Sequence, residues 1–183
     1  MSFDRQPTLQ GPTLQLRPLQ PADRDAFLTA AGDPLIWDQH PESDRATPEK
    51  AQRFFADALA SGGALVVTTA DGTIVGSSRF EAPDEATGRV LIDHTFLVRT
   101  HWTPEDYTEV KGLLFDHAFG AVDTVELRVS VDNARTRSAV EDLLGAVYEG
   151  TISTPLGEDA VYVVPREAWA DASGIHADRA KRA

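Results

Sequence analysis

The sequence contains no cysteine in its 183 residues. Disulfides, thiolate zinc sites and a cysteine nucleophile are therefore excluded. The chain also lacks an apolar run near the ~20 residues that a membrane span needs. Its first residues show no basic segment followed by an apolar one, as a secretory signal would. These absences predict a soluble, cytoplasmic protein without a membrane partner.

Basic residues are few. Lys and Arg number 17 against 29 Asp and Glu, and the formal net charge is −12. This balance argues against a nucleic-acid partner, because neutralising phosphates needs clustered Lys and Arg. An acidic surface attracts cationic substrates such as amines, but it equally serves solubility. The five histidines show no ligand spacing, so we expect no metal site.

The apolar pattern predicts a single domain over residues 1–183, with a loose lead-in at 1–12 and a loose tail at 171–183. Strands are predicted at residues 13–17, 64–69, 73–80, 89–99, 124–129, 146–152 and 160–164. Helices are predicted at residues 23–31, 48–59, 104–120 and 133–144. This order indicates an α/β fold, with a mixed sheet and helices on both of its faces.

Four passages of the chain carry a family resemblance. They are residues 14–19 followed by Asp23, the Ile-Val-Gly strand at 73–78, the Asn-x-Arg-x-Arg-Ser segment at 129–141, and residues 159–164 followed by Trp169. Together they resemble the GNAT superfamily of N-acetyltransferases, closest to the subgroup that includes the ribosomal-protein N-terminal acetyltransferases. The resemblance covers residues 13–169.

This resemblance implies a mostly antiparallel twisted sheet of about seven strands with one splayed parallel pair. It also implies transfer of an acetyl group from acetyl-CoA to a primary amine of a small molecule or a protein N-terminus. Small members of the family often form homodimers, although no apolar stripe in this sequence requires one.

The resemblance places the pantetheine arm of CoA between residues 96–98 and 125–129, with the arm bonded to strand backbone. The pyrophosphate would lie at the start of the next helix, where free N–H groups and the helix dipole favour an anion. Asn133 is equally readable as a plain helix N-cap. The implied cofactor-binding residues are Phe96, Leu97, Val98, Arg99, Thr103, Tyr107, Thr108, Asn133, Arg135 and Arg137.

The phosphate-binding segment departs from the family pattern, which needs a glycine-bearing turn. Residues 99–111 contain no glycine, and Pro104 removes a donor. Glu105, Asp106 and Glu109 put carboxylates where an anion should bind, although Arg99, His101 and Lys111 could offset them. The alternative function is therefore a degenerate, non-catalytic GNAT domain that acts as a binding or assembly module.

The candidate catalytic residues are Asp93 and His94. The carboxylate that the family commonly carries on this strand corresponds to Leu91 here, so its neighbours are the remaining candidates for the base. Strand alternation predicts that their side chains face opposite sides of the sheet. Trp37 and His40, between the first two helices, are the candidate acceptor-binding residues. Alternatively, Asp93 is an inward polar residue satisfied by a backbone hydrogen bond, and His94 and Trp37 are packed side chains.

Overall fold

The computed structural model describes residues 3–84 and 86–169. The predicted loose tail at 171–183 lies outside these residues. The strands are β1 (Leu9–Gln10), β2 (Leu14–Pro18), β3 (Ala64–Thr69), β4 (Ile74–Phe80), β5 (Arg89–Leu97), β6 (Thr124–Ser130), β7 (Val147–Thr154) and β8 (Gly157–Pro165). The helices are α1 (Arg24–Ala31), α2 (Pro48–Ser61), α3 (Pro104–Ala118) and α4 (Ala134–Leu144).

All eight strands form one sheet in the order β1-β2-β3-β4-β5-β6-β8-β7. Neighbouring strands are antiparallel except β5 and β6, which are parallel. The predicted mixed sheet with one splayed parallel pair is confirmed, with eight strands rather than about seven. The additional strand is β1, in the segment that was expected to be a loose lead-in.

The rest of that lead-in also packs on the sheet. Arg5 donates hydrogen bonds to the carbonyls of Ser61 and Phe80. The ring of Phe3 meets Phe80 edge-on, with 5.2 Å between ring centres. The expectation of a loose segment was therefore wrong for these residues, because local polarity gave no sign of their distant partners.

Helices cover both faces of the sheet because its central strands are apolar on both sides. Along β3, Leu65 and Val67 join one buried cluster with α3 and α4. Ala64 and Val66 join the other cluster with α1 and α2. The period-2 alternation of a strand sorts these side chains between the two layers.

The parallel pair opens into a gap. β5 and β6 are paired only through residues 89–91 of β5, and the two strands separate from there onward. The Val98 N–H donates to the Val75 carbonyl of β4. The N–H and C=O groups of the preceding residue, Leu97, therefore point to the opposite side, toward the gap. The gap therefore exposes strand backbone in the middle of the sheet.

A bulge interrupts β5 beside this gap. The register with β4 shifts between Ser77 and Arg79, so β5 holds one more residue than its partner here. The extra residue is accommodated at His94, whose φ of 54° is a left-handed value that non-glycine residues adopt uncommonly. Among the described residues, no helix is both long and apolar enough to cross a bilayer.

Candidate active site

The gap between β5 and β6 widens into a cavity of about 480 Å³. Its walls come from β5, β6, the start of α3, the start of α4 and the loop after α1. The cavity brings together ten of the predicted site residues: Trp37, His40, Asp93, His94, Phe96, Leu97, Thr103, Tyr107, Asn133 and Arg135. In the described part of the chain, no three His, Cys, Asp or Glu side chains form a group that could hold a metal ion.

The bulge places Asp93 and His94 on the same side of β5. Both line the cavity, and His94 Nδ1 lies 3.5 Å from Asp93 Oδ2. Asp93 Oδ1 also accepts a 2.6 Å hydrogen bond from the His94 backbone N–H. The expectation that the two side chains face opposite sides was wrong, because the left-handed residue breaks the alternation that the expectation assumed.

His94 is held as a neutral imidazole with an unsatisfied ring nitrogen. Burial lowers its pKa below 6.5, although the nearby Asp93 carboxylate opposes this effect. Its Nδ1 is buried and has no hydrogen-bond partner among the described residues. The ring stacks on Phe54 at 6.2 Å between centres. A neutral, under-bonded imidazole in a cavity can accept a proton near neutral pH.

The acceptor side of the cavity is built by the loop after α1. Trp37 is buried and donates from Nε1 to the Ala31 carbonyl at 2.9 Å, so it is both a wall of the cavity and part of the core. His40 meets Trp37 edge-on, and burial lowers the pKa of His40 to about 4. The buried Arg45 guanidinium lies 5.0 Å from the Trp37 ring centre and pairs with Glu42.

Lys111 is a cavity residue that the sequence interpretation misplaced. It was expected to offset the acids of the phosphate-binding segment or to be an ordinary surface residue, but it is only 3% exposed and its Nζ bonds to Thr95 Oγ1 at 2.8 Å. Thr95 Oγ1 in turn lies 2.8 Å from Ser78 Oγ. No carboxylate of the described residues comes within 4.0 Å of Lys111 Nζ, and burial lowers the pKa of the amine to about 8. The sequence did contain a signal for this burial, because positions 107, 111, 114 and 118 lie on one face of the helix.

At the other end of the cavity, two side chains close over the strand gap. Trp102 Nε1 donates to the Leu97 carbonyl at 2.8 Å. The Arg135 guanidinium covers the Trp102 ring at 4.1 Å from its centre, and we call this pair the Trp102–Arg135 stack. Asp38 accepts a 2.9 Å bond from Arg135, and Gln39 accepts one from the Arg135 backbone N–H. The Leu97 carbonyl of β5 and the Arg135 N–H of α4 are thus both hydrogen-bonded to side chains of the protein itself.

Four predicted cofactor residues do not border the cavity. They are Val98, Arg99, Thr108 and Arg137. The Val98 N–H is used by β4, and Arg99 pairs with Asp33 on the surface. Arg137 bonds instead to the Tyr162 hydroxyl at 3.0 Å and the Val131 carbonyl at 3.1 Å. Residues two positions apart on a helix do not share a face, so Arg135 and Arg137 point to different sides of α4.

The start of α3 is less acidic toward the cavity than the sequence suggested. Glu109 points away, where it accepts bonds from the Thr13 and Leu14 backbone N–H groups at 2.8 and 2.7 Å. Thr103 caps the helix by accepting from the Asp106 N–H, and His101 bonds to the Asp106 carboxylate at 2.9 Å. The expectation that Glu109 competes with a bound anion was therefore wrong.

Comparison with known proteins agrees with this geometry. Residues 13–143 match the family model described as the acetyltransferase (GNAT) domain. The chain belongs to the GNAT family and is an N-acetyltransferase. No curated protein matches it at a significant level.

Solved structures share the fold. A GCN5-related N-acetyltransferase from Brucella melitensis superposes with a TM-score of 0.78 at 19% identity, over 90% of this chain and 81% of that one. A T. thermophilus protein assigned as an acetyltransferase gives 0.76 at 26% identity, over 94% and 96%. RimL, a ribosomal L7/L12 alpha-N-protein acetyltransferase solved with coenzyme A, gives 0.70 at 13% identity, over 88% and 99%.

The residues of the cavity fit the acyl donor that the family implies, with one condition. Leu97 presents backbone groups to the gap, and the volume accommodates an extended arm. At the phosphate end, Arg135 in the cavity and Arg99 on the surface outside it supply positive charge, but each is paired with an aspartate, Asp38 or Asp33. The condition is that the Trp102–Arg135 stack opens, because Trp102 holds the Leu97 carbonyl that the arm would use.

Proposed function

We propose that the protein transfers an acetyl group from acetyl-CoA to a primary amine of a small molecule or a protein N-terminus. The observation that carries the proposal is the bulge in β5, which places Asp93 and His94 together in the cavity between the splayed strands. This arrangement puts a proton acceptor beside the backbone that would receive the acyl donor.

The donor would be held by main chain at one end and by arginines at the other. The Leu97 peptide groups would pair with the arm in the manner of an added strand. Arg99 and Arg135 would exchange their aspartate partners for phosphate oxygens, which suit a guanidinium at least as well. When bound, acetyl-CoA supplies the activated acyl group.

The acceptor amine must lose a proton before it can attack. His94 is neutral at physiological pH because burial lowers its pKa, so it can take that proton, and Asp93 Oδ2 lies 3.5 Å away to stabilise the charged ring. Lys111 lines the same cavity beside Thr95, where its cationic form would offset negative charge on the leaving group.

Three related expectations remain proposals. Placement in the ribosomal-protein N-terminal subgroup rests on the sequence passages and on a RimL-like fold at low identity. The cytoplasmic location rests on the composition of the sequence, and homodimer formation rests on the fact that small members of the family often form homodimers.

The test combines donor binding with turnover. Melting of the protein is followed with acetyl-CoA and with ATP, which shares the adenine and phosphates but lacks the arm. A ligand at ~100 times its dissociation constant adds ~2.7 kcal/mol of stability. Release of free CoA thiol is then measured over a panel of primary amines, with Asp93→Asn and His94→Asn as variants.

We expect acetyl-CoA to stabilise the protein more than ATP does, and at least one amine to cause thiol release that both variants lose. If acetyl-CoA changes neither melting nor amine chemistry, the proposal is wrong.

A further inference from the structure

Arg79 on β4 is a buried cation with too few partners. It is 8% exposed, and its Nε has no hydrogen-bond partner among the described residues. The nearest carboxylate oxygen is Glu81 Oε1, at 3.6 Å from Nη1, and Glu81 is also 3.9 Å from Arg5. A guanidinium stays charged at any pH that proteins tolerate, so burial without a matched anion is costly.

The side chain lies on the acceptor side of the sheet. In the register of the sheet, Arg79 is opposite Ala64 of β3 and Asp93 of β5, and directly opposed residues share a face. Asp93 does not satisfy the guanidinium, because its oxygens turn to His94 and no Arg79–Asp93 pair lies within 4.0 Å. Arg79 therefore has an ion pair with Glu81 at 3.6 Å but no hydrogen bond from its Nε to a carboxylate of the described residues.

Arg79 borders a second cavity, of about 270 Å³, next to the active-site cavity. Four cationic side chains line it, against two carboxylates: Arg45, Lys50, Arg53 and Arg79 against Glu42 and Asp57. Arg45 is already paired with Glu42, and Lys50 with Asp44 at 2.7 Å. Cations therefore outnumber carboxylates in the lining of this pocket, in a protein whose formal net charge is −12.

The two cavities adjoin, because His94 and Arg45 line both. Leu156, on the turn between β7 and β8, also borders both. An acceptor whose amine lies beside His94 is therefore next to the cavity that Arg79 borders.

Resting on the proposed function, we propose that this second cavity binds an anionic oxygen group carried by the acceptor, a carboxylate or a phosphate, close to its reacting amine. Such a group would give Arg79 the bidentate partner that it lacks. The acceptor is then a small zwitterionic amine rather than the simple cation that the net charge favours.

Matched amines test the acceptor class directly. Phenylalanine is compared with phenylalaninamide, which keeps the amine and ring but replaces the carboxylate. Phosphoethanolamine is compared with ethanolamine in the same way, so the two pairs distinguish a carboxylate site from a phosphate site. We expect kcat/KM for the anionic member of at least one pair to be about 10- to 100-fold higher, as a charge-assisted bond allows.

Arg79→Met should abolish that ratio, while Arg24→Met is the matched control. Arg24 is an exposed cation of α1 paired with exposed Asp25, so its loss changes net charge equally without touching either cavity. If Arg79→Met does not fold, Arg79→Lys is used instead. It keeps the positive charge but not the planar guanidinium that can form two parallel hydrogen bonds, and we expect it to lower the ratio of kcat/KM values. Equal rates within both wild-type pairs, or a ratio unaffected by Arg79→Met, would overturn the proposal.

A direct binding measurement separates this site from the proposed function. Inorganic phosphate and acetate are titrated calorimetrically into wild-type, Arg79→Met and Arg24→Met protein. Binding that only Arg79→Met loses supports the anion site even if no amine is acetylated, in which case the proposed function alone fails. Amine acetylation with no anion preference and no Arg79-dependent binding means that the anion site alone fails. No binding and no preference count against the anion site.

Discussion

The Arg135 guanidinium lies 4.1 Å from the centre of the Trp102 ring, and Trp102 in turn bonds to the Leu97 carbonyl. This contact joins the start of α4 to the segment before α3 and spans the mouth of the strand gap. The protein thus keeps its donor-binding backbone covered with its own side chains, and opening the stack has a free-energy cost.

Releasing the stack should tighten donor binding. Asp38→Asn removes the anion that fixes Arg135, and Trp102→Phe removes the bond to Leu97 while keeping a ring. We expect each to lower the dissociation constant for CoA about 3- to 10-fold, because a larger fraction of the protein is then open. Calorimetric titration measures it, with Asp25→Asn as an exposed control. Weaker binding in both variants would show that the stack forms part of the bound state.

The bulge residues should control the acidic limb of the pH profile. Burial lowers the pKa of His94, so kcat/KM should stay high below pH 6.5 and fall only as His94 becomes protonated. His94→Asn, which tolerates the left-handed backbone, should reduce kcat/KM about 10²- to 10⁴-fold and remove this limb. A pH–rate profile measures both, and an unchanged limb in the variant would exclude His94 as the base.

The burial of Lys111 should make the free energy of unfolding increase as the pH rises above about 8. Its pKa is lowered from 10.5 to about 8 by burial, so between these values the unfolded chain binds more protons than the native one. Stability from this group therefore increases as pH rises from about 8 to 10.5. Lys111→Met should gain up to about 3 kcal/mol at pH 7, and this gain should shrink toward pH 10.5. Urea unfolding measures it, with half-exposed Lys50→Met as control; equal gains at both pH values would contradict the assignment.

Gly76 should be needed for the close approach of β4 to β5. A Cβ there would lie 2.3 Å from the Phe96 carbonyl oxygen, so Gly76→Ala should cost about 2 kcal/mol and impair donor binding. Gly112→Ala is the contrasting change, because its Cβ would meet only the Trp169 ring at 3.6 Å inside α3. We expect it to stabilise by about 0.5–1 kcal/mol. Denaturant midpoints compare the two, and similar signs would contradict the packing argument.

Much of the fold was predictable because each element carries its own local signal. The strand predicted at 64–69 matches β3 to the residue, and Asn133 marked the start of α4, where its side chain accepts from the Thr136 N–H at 3.1 Å. Gly145, with φ of 61°, ends that helix as a left-handed cap. These features depend on neighbours a few positions away, which a single sequence displays.

The candidate site was only half predictable, for a physical reason. Sequence identified Asp93, His94, Trp37 and His40 by residue type, and they do line one cavity. It could not show the bulge, because an extra residue is a matter of register between β4 and β5 and leaves no mark on β5 alone. It likewise missed the contact of Glu109 with the start of β2, which lies 96 positions away along the chain at Thr13.

The sequence by itself determined the order of elements, the family and the chemistry-bearing residues, since these follow from local periodicity and residue type. Only the tertiary structure decided which of those residues meet. It buried Lys111 beside Thr95, left the Arg79 Nε without a hydrogen-bond partner among the described residues, and stacked Arg135 on Trp102. Each outcome is set by long-range packing, which fixes the burial and the partners of a charge, and burial and partners decide what that charge can do.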